Sequence, residues 1–300
     1  MQLDIRRNGC NKKLPMSIER FFIIANRDKD SKQELSRQIC DFLKSKGKAC
    51  EIAYTDEERL NLRGRLRSNL DCLLVLGGDG TVLEGARLAA GTGTPILGIN
   101  IGNVGYLAEV EIHNWEQALR RVLGGGYEVE TRMMLDGFVM DSNRYPYPGA
   151  HSHALNDIVI TRSRGLQILH FNVSVDGQFL NSFNADGMII STATGSTAYS
   201  MSAGGPIVEP KARLILLTPI SPHTLNNRSI VLSADDRISI EMIPSHNGEK
   251  LYAECVFDGS ESIELHSGDK VNISTSCCTT RLIRLSRRSF LETLHKKISS

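Results

Sequence analysis

Near residue 130 the apolar pattern of this 300-residue chain changes period, and that change limits the fold more than any single motif does. Before it, short strand-like runs (Phe21 to Ala25, Ala49 to Tyr54, Leu73 to Leu76, Pro95 to Ile99) alternate with stretches of helical spacing. One such helix carries Leu35, Ile39, Phe42 and Leu43 on a single face, opens on a Ser31-x-x-Glu34 capping box and stops at Gly47. Another runs from Asn114 through Leu123 into Gly124-Gly125-Gly126. This alternation predicts a doubly wound α/β domain on a parallel sheet, with its ligand crevice beyond the carboxyl ends of the strands. After residue 130, apolar side chains recur at every second position, as in Phe171-Val173-Val175, Ile238-Ile240-Met242 and Leu251-Ala253-Cys255-Phe257. With turn signals at Asp176-Gly177, Asn247-Gly248, Asp258-Gly259 and Ser267-Gly268, the second half reads as an all-β, sandwich-like domain of antiparallel strands. The expected division is 1–130 for the α/β domain and 131–281 for the sandwich. Residues 282–300, with a closing helix from Ser289 to Ile298, are expected to return to the first domain. Residues 1–18 are expected to be loosely ordered, and Tyr145-Pro146-Tyr147-Pro148-Gly149 to be a surface loop.

Chemistry concentrates where the run Cys72 to Leu76 meets Gly77-Gly78-Asp79-Gly80-Thr81, after which Val82, Leu83, Ala86, Ala89 and Ala90 resume helical spacing. Strand, glycine turn and helix N-terminus together suit a phosphate chain, because bare backbone N–H groups can approach it closely. A carboxylate repels phosphate, so Asp79 has to serve something else, such as a substrate hydroxyl or a cation. Neither familiar glycine loop is present. Gly80 to Gly85 has Walker A spacing but is followed by Ala86-Arg87, and Leu83 stands where a dinucleotide fingerprint needs its third glycine. A tight strand-to-helix turn would also explain the glycines alone. A second stretch, from Ser191 to Pro206, is rich in Ser, Thr and Gly and follows the apolar strand Met188-Ile189-Ile190. Its small residues leave room for a flat polar ligand, and Ala198, Met201 and Ala203 point to a packed turn or short helix rather than a loose loop.

The balance of 35 basic against 34 acidic residues gives a net charge of +1, so no strong field favours nucleic acid or an anionic membrane. No apolar run approaches a membrane span. The seven cysteines (10, 40, 50, 72, 255, 277, 278) are scattered without C-x-x-C spacing, which argues against both disulfides and structural zinc. A cytoplasmic location is expected. His151-x-His153 lacks a third ligand nearby in sequence and reads as solvated loop, and Arg281, Arg284, Arg287 and Arg288 as a solvated face.

L-G-G-D-G-T resembles the phosphate-loop motif shared by NAD kinases, diacylglycerol and sphingosine kinases and phosphofructokinases. The stretch around Asp186-Gly187, Ser191-Thr192 and Thr194-Gly195-Ser196-Thr197-Ala198-Tyr199-Ser200 is similar to the signature of NAD kinases, which lipid kinases lack. Gly98-Ile99-Asn100, Gly105-Tyr106-Leu107, Ala154-Leu155-Asn156-Asp157 and Pro219 to Leu225 with Arg228 add further matches. The resemblance implies transfer of the terminal phosphoryl group of ATP to the 2′-hydroxyl of the adenosine ribose of NAD, with a divalent metal (Mg²⁺ or Mn²⁺). It implies Asp79 as the catalytic carboxylate and Gly77, Gly78, Gly80 and Thr81 at the phosphates. Asp79, Gly80, Asn156, Asp157, Asp186, Thr197, Ala198, Tyr199, Ser200 and Ser202 would meet NAD, with Asp186 near the nicotinamide end; no metal ligand is assigned. It further implies a homodimer or homotetramer. Three positions depart from the family pattern: Asp157 for Glu, Ala193 for Pro, and Asn184 where many relatives carry Arg. A lipid kinase would need an apolar acyl channel in the second domain, and a non-catalytic dinucleotide sensor would not need Asp79.

Overall fold

The computed structural model describes residues 18–62, 64–66, 71–102, 105–163, 165, 168–223, 228–244, 251–285 and 290–298. In the first half, β1 (Arg20–Ala25), α1 (Glu34–Ser45), β2 (Ala49–Ala53), α2 (Asp56–Leu62), β3 (Asp71–Gly77), α3 (Asp79–Ala89) and β4 (Pro95–Asn100) alternate. The strands pair in parallel in the order β2-β1-β3-β4. Side chains of a strand point alternately to the two faces, and both faces are covered. Phe21 and Ile23 pack with Ile39 and Leu43 of α1, whereas Phe22 and Ile24 pack with Leu62 of α2 and Val82 and Ala86 of α3. Burial on two sides is why β3 and β4 are apolar runs rather than alternating ones. A short β5 (Val110–Glu111) on β4 and α4 (Trp115–Leu123) complete this layer, with Leu119 and Val122 of α4 in the same cluster as α1.

The capping box at Ser31 and Glu34 does not form. Gln33 is the N-cap in left-handed conformation, and the buried Asp30 carboxylate instead accepts the N–H groups of Leu35 (3.1 Å) and Ser36 (3.2 Å). One carboxylate offers two acceptors to the open first turn, so it displaces the hydroxyl cap. Gly47 ends α1 at φ +76° as expected, and Asn114 precedes α4 without a side-chain cap bond.

The second half continues with β6 (Glu128–Met140), β7 (Pro146–Ala154), β8 (Asp157–Arg162), β9 (Leu169–Val175), β10 (Gln178–Ala185) and β11 (Gly187–Thr192). Then come the short α5 (Tyr199–Ser202), β12 (Leu214–Ile220), β13 (Ile230–Ser233), β14 (Ile238–Met242), β15 (Ala253–Phe257), β16 (Glu261–Leu265), β17 (Lys270–Arg284) and α6 (Phe290–Ile298). One antiparallel sheet has the order β13-β12-β11-β8-β15-β16. It packs against β9, β14, β17 and β6 over a core of inward residues that includes Ile158, Ile190, Leu217, Phe257, Phe171, Val173, Ile240 and Val271. That second layer does not end at the sandwich. β17 pairs antiparallel with β14 and β6, and beyond a bulge between Thr275 and Thr279 it also pairs in parallel with β4, Arg281 opposite Pro95. Eleven strands thus form one sheet through both halves.

The Tyr-Pro stretch is not a loop: Pro146–Ala154 is a strand that pairs with β6 alone. An edge strand tolerates prolines because one side of its ladder needs no N–H. Tyr147 leans on the sandwich core and donates its hydroxyl to Asp269 (2.9 Å). Asp176-Gly177 and Asp258-Gly259 form turns with positive φ at both residues, the first as a two-residue hairpin and the second within a three-residue one, 258–260. Asn247-Gly248, Thr224-Leu225, Arg287, Arg288, Ser289, Cys10 and residues 1–17 lie outside the described residues. No helix among the described residues is long and apolar enough to cross a membrane.

Candidate active site

Asp79 is the first residue of α3, at the carboxyl edge of the parallel sheet. Its carboxylate accepts the backbone N–H of Tyr106 at Oδ2 (2.8 Å) and of Leu107 at Oδ1 (3.0 Å). A Cβ on Gly105 would stand 1.9 Å from Asp79 Oδ1, so only glycine lets the Gly105-Tyr106-Leu107 segment seat against the carboxylate. Gly77 and Thr81 have an internal role: a Cβ on Gly77 would meet Thr81 Oγ1 at 2.2 Å, and Thr81 is buried. Gly80 differs, since a Cβ there would meet nothing within 4 Å; at Gly78 the nearest atom is Lys29 Nζ, at 3.9 Å. The fold itself does not demand a bare backbone at Gly80.

That lysine is one residue the sequence did not reveal. An Asn26 side-chain turn, accepting the N–H groups of Asp28 and Lys29, presents Lys29 from the loop after β1. Its Nζ lies 2.7 Å from the Cβ position of Gly102 and above Gly78. No motif marks it, because it reaches the turn from a different strand.

Across from Asp79 stands the hydroxyl-rich stretch, folded as a 3₁₀ turn (Gly195–Thr197) followed by α5. Asp79, Tyr106, Leu107, Asn156, Thr194, Thr197, Ala198 and Met201 line one cavity of about 350 Å³. The structure therefore brings Asp79, Asn156, Thr197 and Ala198 together. Tyr199 is half-exposed outside this lining, Ser202 is exposed, and Ser200 is buried beneath it against Thr218 (3.1 Å). Asp186 sits between β10 and β11, paired with Arg162 (3.1 Å), and Asn184 meets His170 (2.6 Å). Burial and the charge of Asp79 push the Tyr106 phenol above its ordinary range, so it faces the cavity as a hydroxyl.

Asn156 is held by a carboxylate that the sequence shows only as a turn residue. Asp258, in the β15–β16 hairpin, accepts the N–H groups of Leu155 (2.8 Å), Asn156 (2.8 Å) and Asp157 (3.3 Å). Gly195 packs flat on Asn156, whose carbonyl would lie 2.2 Å from any Cβ there. Asp157 is buried beside Asp258; burial first, and then the Asp258 charge, raise its carboxyl to about 7. Between about pH 4 and 7 the native protein thus keeps a proton that the unfolded chain has released. Its advantage from this group is full below that window and is lost as pH rises through it. Asp157→Asn cannot ionise. Urea titrations should show the stability of the variant relative to the parent growing from pH 4 to pH 8, by up to about 4 kcal/mol. A difference independent of pH would mean that Asp157 is charged throughout.

Arg281 and Arg284 are not a solvated face. Arg281 donates to the Gly93 carbonyl (2.8 Å). Arg284 pairs with Glu109 (3.1 Å) and Glu130 (2.8 Å) and reaches the Leu107 carbonyl (3.4 Å). Glu130 also pairs with the buried Arg132 (3.0 Å), which donates to Thr194 Oγ1 (3.1 Å). Burial alone would raise Glu130, but the two guanidiniums outweigh it and hold the carboxyl below its ordinary range. This chain of ion pairs ties the segment behind Asp79 to the opposite cavity wall.

A carboxylate fixed at a glycine turn, opposite a hydroxyl-lined wall and between an α/β half and a β-sandwich, has the geometry of a phosphotransferase site. Residues 48–127 match the model of the ATP-NAD kinase N-terminal domain, and residues 155–285 that of the ATP-NAD kinase C-terminal domain. The chain is 40% identical to the NAD kinase of Lachnospira eligens over 93% of its own length and 99% of that protein. It is 38% identical to the NAD kinase of Heliobacterium modesticaldum, over 92% and 97%. The crystal structure of yeast NADH kinase complexed with NADH superposes with a TM-score of 0.83 at 22% identity, covering 94% of this chain and 88% of that one. An NAD kinase from Archaeoglobus fulgidus in complex with ATP does so with 0.72 at 25% identity, covering 93% and 98%. The chain belongs to the NAD kinase family.

Proposed function

We propose that this protein is an NAD kinase, moving the terminal phosphoryl group of ATP to the 2′-hydroxyl of the adenosine ribose of NAD. The observation that carries this reading is the single cavity in which Asp79 faces Asn156, Thr197 and Ala198. A carboxylate has about four lone-pair sites, of which the Tyr106 and Leu107 N–H groups use two. The remainder can orient the ribose hydroxyl and take its proton. As the ribose O–P bond forms, the bond from phosphorus to the β-phosphate oxygen breaks; the proton goes to Asp79 and ADP leaves. Gly78 and Gly80 expose backbone to the phosphates, and Lys29 supplies positive charge beside them. Asn156, Thr197 and Ala198 hold the adenosine half. Asp157, Tyr199, Ser200 and Ser202 shape the wall from behind and beside it, and Asp186 lies further out.

The residues present fit a divalent metal, Mg²⁺ or Mn²⁺. Mg²⁺ keeps several waters and asks for one or two carboxylates plus substrate phosphates. Asp79 is such a carboxylate, and Asn100, opposite Gly77 in the ladder, has a buried Oδ1 without a partner among the described residues. When bound, the metal neutralises phosphate charge, which is most of what phosphoryl transfer requires.

Purified chain with NAD, ATP and Mg²⁺ should yield NADP; phosphorylation of diacylglycerol with NAD untouched would overturn the assignment. Lys29→Ala should raise the KM for ATP about tenfold while kcat changes less, the mark of binding made equally in ground and transition states. An unchanged KM for ATP would place the phosphates away from Lys29. Self-association into a homodimer or homotetramer is supported by β10, an edge strand that exposes Phe179 and Leu180. The free thiols of Cys40, Cys50, Cys72, Cys255, Cys277 and Cys278 suit a reducing compartment such as the cytoplasm.

A further inference from the structure

The β6–β7 hairpin carries a second group of residues that phosphoryl transfer does not use. Asp136 and His153 are direct cross-strand partners, and Phe138 pairs with His151 two positions along. Alternation puts Asp136, His151 and His153 on one face of the hairpin, while Leu135 and Val139 turn into the sandwich core. His153 Nδ1 hydrogen-bonds Asp136 Oδ1, and His151 Nε2 lies 3.5 Å from the same oxygen. All three donor atoms fall within 4.8 Å of one another. His151 is stacked on Phe138, ring centroids 4.2 Å apart, which restrains the imidazole.

Two chemistries suit such a group. A hydrolytic triad needs its acid and its nucleophile on opposite ring nitrogens. Here Ser276 Oγ, at 3.3 Å, and Asp136 both meet His153 Nδ1, so no relay exists. A metal centre needs convergent donor atoms, and these converge, the ion taking the place of the proton that His153 Nδ1 shares with Asp136 and releasing it to solvent.

We propose that Asp136, His151 and His153 bind a divalent transition-metal ion, with Zn²⁺ the best match, at a site separate from the catalytic cavity. Two imidazoles and one carboxylate suit Zn²⁺, whereas Mg²⁺ and Ca²⁺ prefer all-oxygen sets. With zinc–ligand bonds of about 2.0–2.1 Å, tetrahedral donors stand about 3.3 Å apart. The Asp136–His151 separation is already close to that, and His153 has to swing slightly off the carboxylate to admit the ion. Asp136 and His153 are largely buried, so a bound ion is shielded on that side. The fourth position opens to a cavity of about 440 Å³ lined by His151, His153 and Glu261. The guanidiniums of Arg59 and Arg87 in that wall are matched by Glu84 (2.7 Å) and Glu261 (3.7 Å), so they leave no uncompensated positive charge against a cation.

The test uses the full chain, freed of metal by chelation and titrated with Zn²⁺ against a chromophoric chelator, then with Co²⁺ for its d–d spectrum. The expected result is one equivalent bound by the parent. Changing groups that merely support a ligand costs 10–100-fold in affinity, so losing a ligand should cost at least about 100-fold in His151→Gln/His153→Gln and in Asp136→Asn. Mg²⁺-driven NADP formation by these variants in the absence of zinc should match the parent. Absence of saturable binding to the parent overturns the proposal. So does equal affinity in the variants, and loss of that binding in Cys277→Ser/Cys278→Ser would then move the ion to the thiols. Should the variants fail to fold, imidazole NMR signals of the parent decide: His151 and His153 shift at one equivalent of Zn²⁺, or the site is elsewhere.

Discussion

Asp79→Asn is expected to bind NAD nearly as well as the parent and to turn it over about 10²–10⁴-fold more slowly, the usual cost of removing a positioned general base. Asparagine keeps the shape and can still hydrogen-bond the ribose hydroxyl, but it cannot accept the proton. The structure adds a second consequence. The carboxylate gives one oxygen to Tyr106 N–H and the other to Leu107 N–H, whereas the amide has only one acceptor and turns an NH₂ toward the remaining donor. An unpaired buried donor costs roughly 1–3 kcal/mol and these bonds are only partly buried, so a small fall in melting temperature should accompany the kinetic loss. The two effects separate in a kinetic experiment, because a loosened Gly105–Leu107 segment weakens NAD affinity and KM, while a missing base lowers kcat. A kcat within a few-fold of the parent would make Asp79 a residue that only fastens this segment.

Gly105→Ala should cost about 10²-fold in kcat although no chemical group of the site is removed. The added methyl would stand 1.9 Å from Asp79 Oδ1 and 2.5 Å from its carboxyl carbon. Either the carboxylate swings away or the segment lifts, and displacement of a reacting group by about 1 Å can cost 10²-fold. Overpacking of this kind typically costs about 1–3 kcal/mol in stability. The measurement is kcat and melting temperature together, with Gly80→Ala as the comparison. At Gly80 the methyl has open space within the protein, so its melting temperature should hold while its KM for ATP rises. Parent-like kcat in Gly105→Ala would show that the site tolerates a mobile carboxylate.

The elements were legible where one local rule decided them. β3 and β4, covered on both faces, appear as unbroken apolar runs, and β9, β14 and β15 as alternation. Asp79 was legible too, because strand, glycines and helix lie together in sequence. What local patterns missed came through space. Lys29 arrives from the loop after β1, Asp258 from a hairpin that looks like any Asp-Gly turn, and Arg284 from the far end of β17. None has a spacing that announces its partner, since sheet order and register create the contact. Asp30 displaced a plausible cap for the same reason: a left-handed Gln33 bends the chain so that the carboxylate reaches the first turn. Prolines hid β7, which is tolerable only because that strand lies at an edge.

The strand ladder that runs unbroken from β10 to β2 sets a mechanical condition on catalysis. Enzymes that close two lobes over their substrates flex at a loose connection, whereas here β17 bonds to β14 near its start, to β4 near its end and to β6 along both parts. Opening such a joint would shear backbone hydrogen bonds instead of turning a hinge. On the proposed reading, the gap between Asp79 and the Thr194–Ala198 wall should then act as a jig that changes little in width when substrates bind. Water has to be expelled by the substrates themselves and by the short segments at the rim. Amide exchange along β17 should then be as slow in the free protein as in the nucleotide complex.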